Sequence, residues 1–344
     1  MTRTADGGSY MAMRDWLDPL ADVDFAQYLR LSLPVQMWDS CGIEMARVAR
    51  ERQNHLVKPP GTEDSRFFDR LPEFLDRGTI QFGPLLAPHE VADIRAFFER
   101  QSGYDGHHIR ASDRKLRPFA ELAAKHRYCC HSIDTVVRAP HLIKLANHPA
   151  LIDLVEKALG CVPTLYSVSA WWSFPGFAEP WPVYSQYFHR DRDCFRFFTL
   201  FVYLTDVDEG AGPHQILPRS QLTAGTRDLI EAAKRAGRLP ADASEDPFFS
   251  YQPVSPGHIE ALFGDSIATI VGPAGSAMLC DTRAFHRGMM PRDKSRLIFW
   301  ARYGVSRNTN SADLEMGPLR RETLDLDLDD SPRTAYINRL LFRW

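Results

Sequence analysis

Tyr184-Ser-Gln-Tyr-Phe-His-Arg-Asp191 leads, through Arg192-Asp-Cys-Phe195, into Arg196-Phe-Phe-Thr-Leu-Phe-Val-Tyr-Leu-Thr205. Aromatic and β-branched residues crowd these stretches and no helical period runs through them, so both are predicted as strands, 184–191 and 196–205. Working outward, the same texture predicts strands at 164–172, 267–271, 276–281 and 296–304. Pro175-Gly176, Asp208 to Pro213 and Gly272 to Gly275 punctuate them. Upstream the texture is helical. Pro88 opens a helix with Val91, Ile94, Phe97 and Phe98 on one face, after a short strand Thr79-Ile-Gln-Phe-Gly. Pro149 opens another, with Leu151, Ile152, Val155, Ala158 and Leu159 inside and Gly160 past its end. Short strands following helices predict an α+β chain with a sandwich or barrel core flanked by helices.

The expected organisation is a mainly helical N-terminal elaboration over 1–71, a principal domain over 72–310, and a C-terminal extension over 311–344. Met45-Ala-Arg-Val-Ala-Arg-Glu-Arg reads as a polar-faced helix in the first of these. Within the principal domain an insertion covers about 222–262, with an exposed helix near Asp228 to Ala236 and a long loop from Pro240 to Pro256.

Charge narrows the partners. The formal net charge of the 344 residues is -3, with 25% charged and 44% hydrophobic residues. No basic surplus points to nucleic acid or a membrane surface, and the cluster Arg114, Lys115, Arg117 reads as solvated loop. A small-molecule partner is expected instead. No run of about 18 apolar residues predicts a membrane span. Met1 to Ser9 is polar and does not read as a leader. The six cysteines form no C-x-x-C pair, and Cys129 and Cys130 are adjacent, so free thiols in a reducing cytoplasm are expected.

The chemistry is carried by His189-Arg190-Asp191. Side chains alternate along a strand, so His189 and Asp191 face the same way and present an imidazole and a carboxylate to one ion. Alone, the triplet is as well explained by a His–carboxylate hydrogen bond. A third ligand must come from elsewhere, and His286, after the strand-like Ser276-Ala-Met-Leu-Cys-Asp281 and before a turn at Gly288, is the best candidate. Two imidazoles and one carboxylate on one face are the iron(II) oxygenase arrangement, with three positions left open. Ten residues later Arg296 opens an apolar strand, Arg296-Leu-Ile-Phe-Trp-Ala-Arg-Tyr. A guanidinium there requires an anionic partner, either a carboxylate ligand or a neighbouring acid such as Asp293.

Together these pieces resemble the phytanoyl-CoA dioxygenase family of iron(II)- and 2-oxoglutarate-dependent oxygenases. The resemblance lies in Phe188-His-Arg-Asp191, Tyr203-Leu-Thr-Asp-Val-Asp-Glu-Gly-Ala-Gly-Pro213, Leu217-Pro-Arg-Ser220 and Asp281-Thr-Arg-Ala-Phe-His286 followed by Arg296, and it spans roughly 72–305. It implies a double-stranded β-helix of the jelly-roll or cupin-like type. It also implies Fe(II) held by His189, Asp191 and His286, with 2-oxoglutarate and O2 as cosubstrates. Arg296 would pair with the distal carboxylate of 2-oxoglutarate, and Thr199 could add a hydroxyl, although a core threonine explains Thr199 as well. The implied reaction is hydroxylation of a C–H bond in a small organic molecule, such as a natural-product, sugar or lipid intermediate. Asp191 stands where halogenating relatives have a small residue, so oxidation rather than chlorination is expected. The sequence departs from the family's Gly-Ser-His turn with Arg219-Ser220-Gln221, and by the insertion.

Two other functions remain open on sequence alone: another cupin-type metalloenzyme, an isomerase or hydrolase using Arg296 for an anionic substrate, and a binding protein with a degenerate site. His258-x-Glu260 reads as exposed, and His107-His108, next to Gly106, as loop. Trp171, Trp172, Phe174 and Trp181 are divided between pocket wall and core, and Gln186 is left without a role.

Overall fold

The computed structural model describes residues 35–58, 64–106, 114–177, 185–250, 252–305 and 318–344. Two antiparallel sheets face each other. The larger takes β1 (Thr79–Pro84), β2 (Tyr128–Cys130), β3 (Thr164–Ser173), β4 (Phe197–Tyr203), β7 (Ser276–Cys280) and β9 (Arg296–Gly304) in the order β1-β7-β4-β9-β3-β2. The smaller takes β5 (His214–Ile216), β6 (Ala268–Ile270) and β8 (His286–Gly288) in the order β6-β5-β8. From β4 to β9 the chain passes back and forth between the sheets, which is the winding of a double-stranded β-helix.

Alternation along β9 sorts its side chains. Leu297, Phe299 and Ala301 join the helices Pro88–Glu99 and Pro149–Leu159 in one large core, through residues such as Ile94, Phe98, Leu151 and Val155. Arg296, Ile298, Trp300 and Arg302 have the opposite parity and face the smaller sheet. Register puts Thr199 beside Arg302, Phe201 beside Trp300, and Tyr203 beside Ile298. Phe201, Tyr203, Ile216, Ile270, Met278 and Ile298 fill the space between the sheets.

Most predicted strands are present, but 184–191 is not one. Its described part makes single bridges only, Phe188 to Val254 and His189 to His286. The segment runs between the stretches at Val254 and His286 without a continuous partner, so extended conformation does not become a ladder. Gly288, expected in a turn, lies within β8, where it pairs with His214. Trp172 and Phe174 stack in the core with Phe119, whereas Trp171 turns to the other face of β3. Trp181 and the pair His107-His108 lie outside the described residues.

The elaborations pack onto this frame. The helix Trp38–Arg52 buries Trp38, Met45 and Val48, so it is less polar-faced than expected, and Asp39 accepts from Arg283 Nη1 at 2.6 Å. The C-terminal helix Pro332–Asn338 returns to it through Gln53 Nε2 donating to Tyr336 Oη at 2.8 Å. Between 222 and 262 a helix spans Thr223–Arg235 and another Pro256–Phe263. The first is exposed on one face only. Ile230, Phe248, Ile259, Leu262 and Phe263 gather around Phe188 and Phe285, the residues immediately before His189 and His286. Segment 222–262 is therefore a buttress behind the candidate ligands.

Arg219 adopts a left-handed backbone, φ +71°, in the turn where the resembling family carries glycine. A Cβ there costs about 1 kcal/mol. Its ion pairs to Asp76 and Asp228 are long and exposed, so they offset little. Arg219→Gly is expected to raise the denaturant midpoint by the equivalent of about 1 kcal/mol. A lowered midpoint would show that the long ion pairs outweigh the strain.

Candidate metal centre

His189, Asp191 and His286 each offer a ligand atom, and these atoms lie within 4.8 Å of one another. Asp191 Oδ1 is 3.5 Å from His189 Nε2, and Oδ2 is 3.6 Å from His286 Nε2. Such separations suit donors that each sit about 2 Å from a shared ion. Backbone hydrogen bonds produce the convergence. His189 N donates to His286 O and His286 N to His189 O, each at 3.0 Å, while Asp191 N donates to Thr282 O at 2.8 Å.

The imidazoles are held in the tautomer a metal needs. His189 Nδ1 lies 2.9 Å from Tyr187 O, and His286 Nδ1 lies 2.9 Å from Ala284 O. With each Nδ1–H donated to the carbonyl two residues back, both Nε2 lone pairs face the centre. Burial and the neighbouring His189 depress His286 to about 3, so it is a neutral donor. Burial opposes ionisation of Asp191, but the Arg302 guanidinium beside it holds its carboxyl well below the usual range.

Arg190, between the two, points away. It donates to Ser220 O at 2.5 Å, Arg283 O at 2.6 Å, Phe248 O at 3.1 Å and Thr226 Oγ1 at 3.2 Å, tying segment 222–262 and the 217–221 turn behind the candidate ligands. Ser220 Oγ in turn accepts from Phe285 N at 2.9 Å, next to His286. The variant turn is thus a working clamp.

Arg296 is buried on the inner face of the large sheet, and its Nε and Nη1 have no hydrogen-bond partner among the described residues. Asp293 lies against Gly210 instead. Arg296 Nη2 is 3.2 Å from where a Cβ on Gly288 would lie. Gly288 is two residues beyond His286 on β8, about 7 Å along the strand. The guanidinium and the three candidate ligands are therefore spaced for the two ends of a short dicarboxylate, with glycine leaving the space between them open.

Thr199 stands elsewhere. It pairs with Arg302, six positions along β9 from Arg296, or about 20 Å. Its Oγ1 lies 3.3 Å from Thr282 Oγ1. Strand register separates it from Arg296, so the expected shared contact with one carboxylate is corrected. His258 and Glu260 are exposed, and Glu260 accepts from Arg287 Nη2 at 2.6 Å. Gln186 Nε2 donates to Tyr128 Oη at 2.9 Å.

Sequence reasoning missed Arg302. Its Nη2 donates to Asp191 Oδ2 at 2.7 Å, its Nη1 pairs with Asp193, and Tyr166 Oη donates to Asp193 at 3.0 Å. The available signal was parity: Arg302 lies an even number of residues from Arg296 in a strand otherwise apolar.

A model of the phytanoyl-CoA dioxygenase (PhyH) family matches residues 74–289. No curated protein sequence matches the chain. Among solved structures, the epimerase SnoN in complex with Fe3+, alpha ketoglutarate and nogalamycin RO is 18% identical, with 79% of this chain and 95% of that one covered and a TM-score of 0.45. HygX from Streptomyces hygroscopicus, with nickel and 2-oxoglutarate bound, is 15% identical over 79% of this chain and 96% of that one, with a TM-score of 0.45. AviO1 from Streptomyces viridochromogenes Tue57 is 15% identical over 69% and 94%, with a TM-score of 0.41.

Arg302→Met leaves Asp191 and Asp193 buried without their shared cation. A loss of about 3 kcal/mol in the metal-free protein is expected. Nickel(II) should then raise the variant's melting temperature by more than it raises the parent's, because the ion replaces the lost positive charge beside Asp191. Equal shifts would refute this account.

Proposed function

Because the chain belongs to the phytanoyl-CoA dioxygenase family, we propose that it is an iron(II)- and 2-oxoglutarate-dependent oxygenase that hydroxylates a C–H bond of a small organic substrate. The supporting observation is one arrangement: two Nε2 lone pairs and a carboxylate converge, with an orphaned buried guanidinium a short dicarboxylate's length away. His189, Asp191 and His286 would hold the iron, and Arg296 the distal carboxylate of the cosubstrate. When bound, iron(II) and 2-oxoglutarate supply the oxidising power: O2 is consumed, the keto acid gives succinate and CO2, and one oxygen atom goes to the substrate C–H bond.

The chain's own residues bind, orient and exclude water. The Nδ1 hydrogen bonds fix both imidazoles before any ion arrives. An unpaired guanidinium in this burial is costly, and a carboxylate satisfies it through two parallel hydrogen bonds. Three ligands on one face leave the other positions for the keto acid and O2. Trp171 and Trp300 project from adjacent strands into the same interior, half-buried, and offer a flat apolar wall for a substrate. The described cysteines are all free, which fits a reducing cytoplasm. Among the described residues no helix is long and apolar enough to cross a membrane.

Purified protein given iron(II), 2-oxoglutarate and ascorbate should form succinate slowly, and faster once its substrate is added. His189→Ala should lower this at least a hundredfold. Undiminished succinate formation in that variant would sink the assignment. The product's mass separates the chemistries: one added oxygen is hydroxylation, an unchanged mass epimerisation, and two hydrogens lost desaturation or ring closure.

A further inference from the structure

β5 brings a second unsatisfied polar group to the place Arg296 reaches. His214 lies opposite Gly288 in the register of β5 and β8, with Ile216 opposite His286. Its side chain is buried, and its Nε2 has no hydrogen-bond partner among the described residues. The ring is held firmly. It packs 4.8 Å from the Phe201 ring and 5.5 Å from the His286 ring, centroid to centroid. Its backbone N donates to Tyr203 Oη at 2.9 Å, and that hydroxyl donates to Ile270 O at 2.8 Å. A rigid, buried, unpaired imidazole nitrogen is an uncompensated cost unless a ligand satisfies it.

We propose that His214 is a cosubstrate-binding residue, donating from Nε2–H to the distal carboxylate of 2-oxoglutarate alongside Arg296. This rests on 2-oxoglutarate as the cosubstrate. Three facts select that carboxylate over the keto-acid end. Gly288, which His214 opposes, is the residue against which the Arg296 guanidinium lies. It stands beyond His286 along β8, away from the convergence of the three ligand atoms. Thr199, the other candidate for this contact, is at the far end of the sheet. The orphaned Nε2 is where an N–H to a carboxylate is needed. Arg296 alone supplies a fork of donors and the charge. His214 adds a further donor held in a fixed direction by its packing against Phe201 and His286.

The test is anaerobic. The visible charge-transfer absorption of the iron(II) protein is titrated with 2-oxoglutarate, and separately with 2-oxopentanoate, which lacks the distal carboxylate. His214→Leu should weaken 2-oxoglutarate about tenfold or more, as loss of a hydrogen bond to a charged group implies. It should weaken 2-oxopentanoate no more than about twofold, and iron(II) affinity should not change. His214→Gln keeps a donor and should recover most of the 2-oxoglutarate affinity, which guards against a folding defect in the leucine variant. Equal weakening of both keto acids, or unchanged 2-oxoglutarate binding, would overturn the inference and leave the proposed function standing. No charge-transfer absorption in the parent protein would overturn both.

Discussion

The structure depends on one antiparallel bridge. His189 and His286 exchange both backbone hydrogen bonds at 3.0 Å, joining segments that are distant in sequence and otherwise weakly paired. Without it β8 is three residues on the edge of a three-stranded sheet, and 185–191 has no ladder at all. The stiffness of the site therefore comes from outside it. Arg190 draws the turn at Ser220 and the insertion at Phe248 against the back of the ligand segment. Phe188 and Phe285 anchor each imidazole in a small separate core made largely by the insertion. A segment that looks dispensable in sequence is thereby part of how the ligands are held.

Four arginines of the interior, three buried and Arg302 partly so, show how the fold separates structure from binding. Arg190 is satisfied by carbonyls and a hydroxyl, Arg283 by Asp281 and Asp39, and Arg302 by Asp191 and Asp193. Arg296 alone of these four has a buried terminal nitrogen, Nη1, with no hydrogen-bond partner among the described residues. Burying a guanidinium unpaired costs several kcal/mol, so the difference marks where an anion belongs. Arg302 makes the complementary point. Its pairing with Asp191 places a cation on the carboxylate before any metal arrives, keeping it ionised and oriented.

Much of this was legible in the sequence for a physical reason. Long strands buried on both faces, such as β4 and β9, carry uninterrupted apolar runs, and helices opened by proline and closed by glycine carry their own punctuation. The convergence of the candidate triad was legible because alternation sets His189 and Asp191 on one side and His286 follows a strand-like run. What failed was short or tertiary. β5 and β8 are too brief to show a period, so His214 and Gly288 were not seen to face each other. Extended residues at 184–191 read as a strand because sequence reports local conformation, whereas a ladder needs a neighbour. Thr199 was set beside Arg296 because both lie on apolar strands, and only register shows that they sit at opposite ends.

Register also explains why so small a sheet can define a binding site. In β8 the inward positions are His286 and Gly288, and in β5 they are His214 and Ile216. The outward positions, Arg287 and Gln215, bond to each other at 2.8 Å and lock the two strands. Each inward pair then sets one layer: Ile216 with His286 at the metal end, His214 with Gly288 at the guanidinium end. A one-residue slip of β8 would turn Arg287 inward and His286 outward, so the polar pair on the outside enforces the chemistry on the inside.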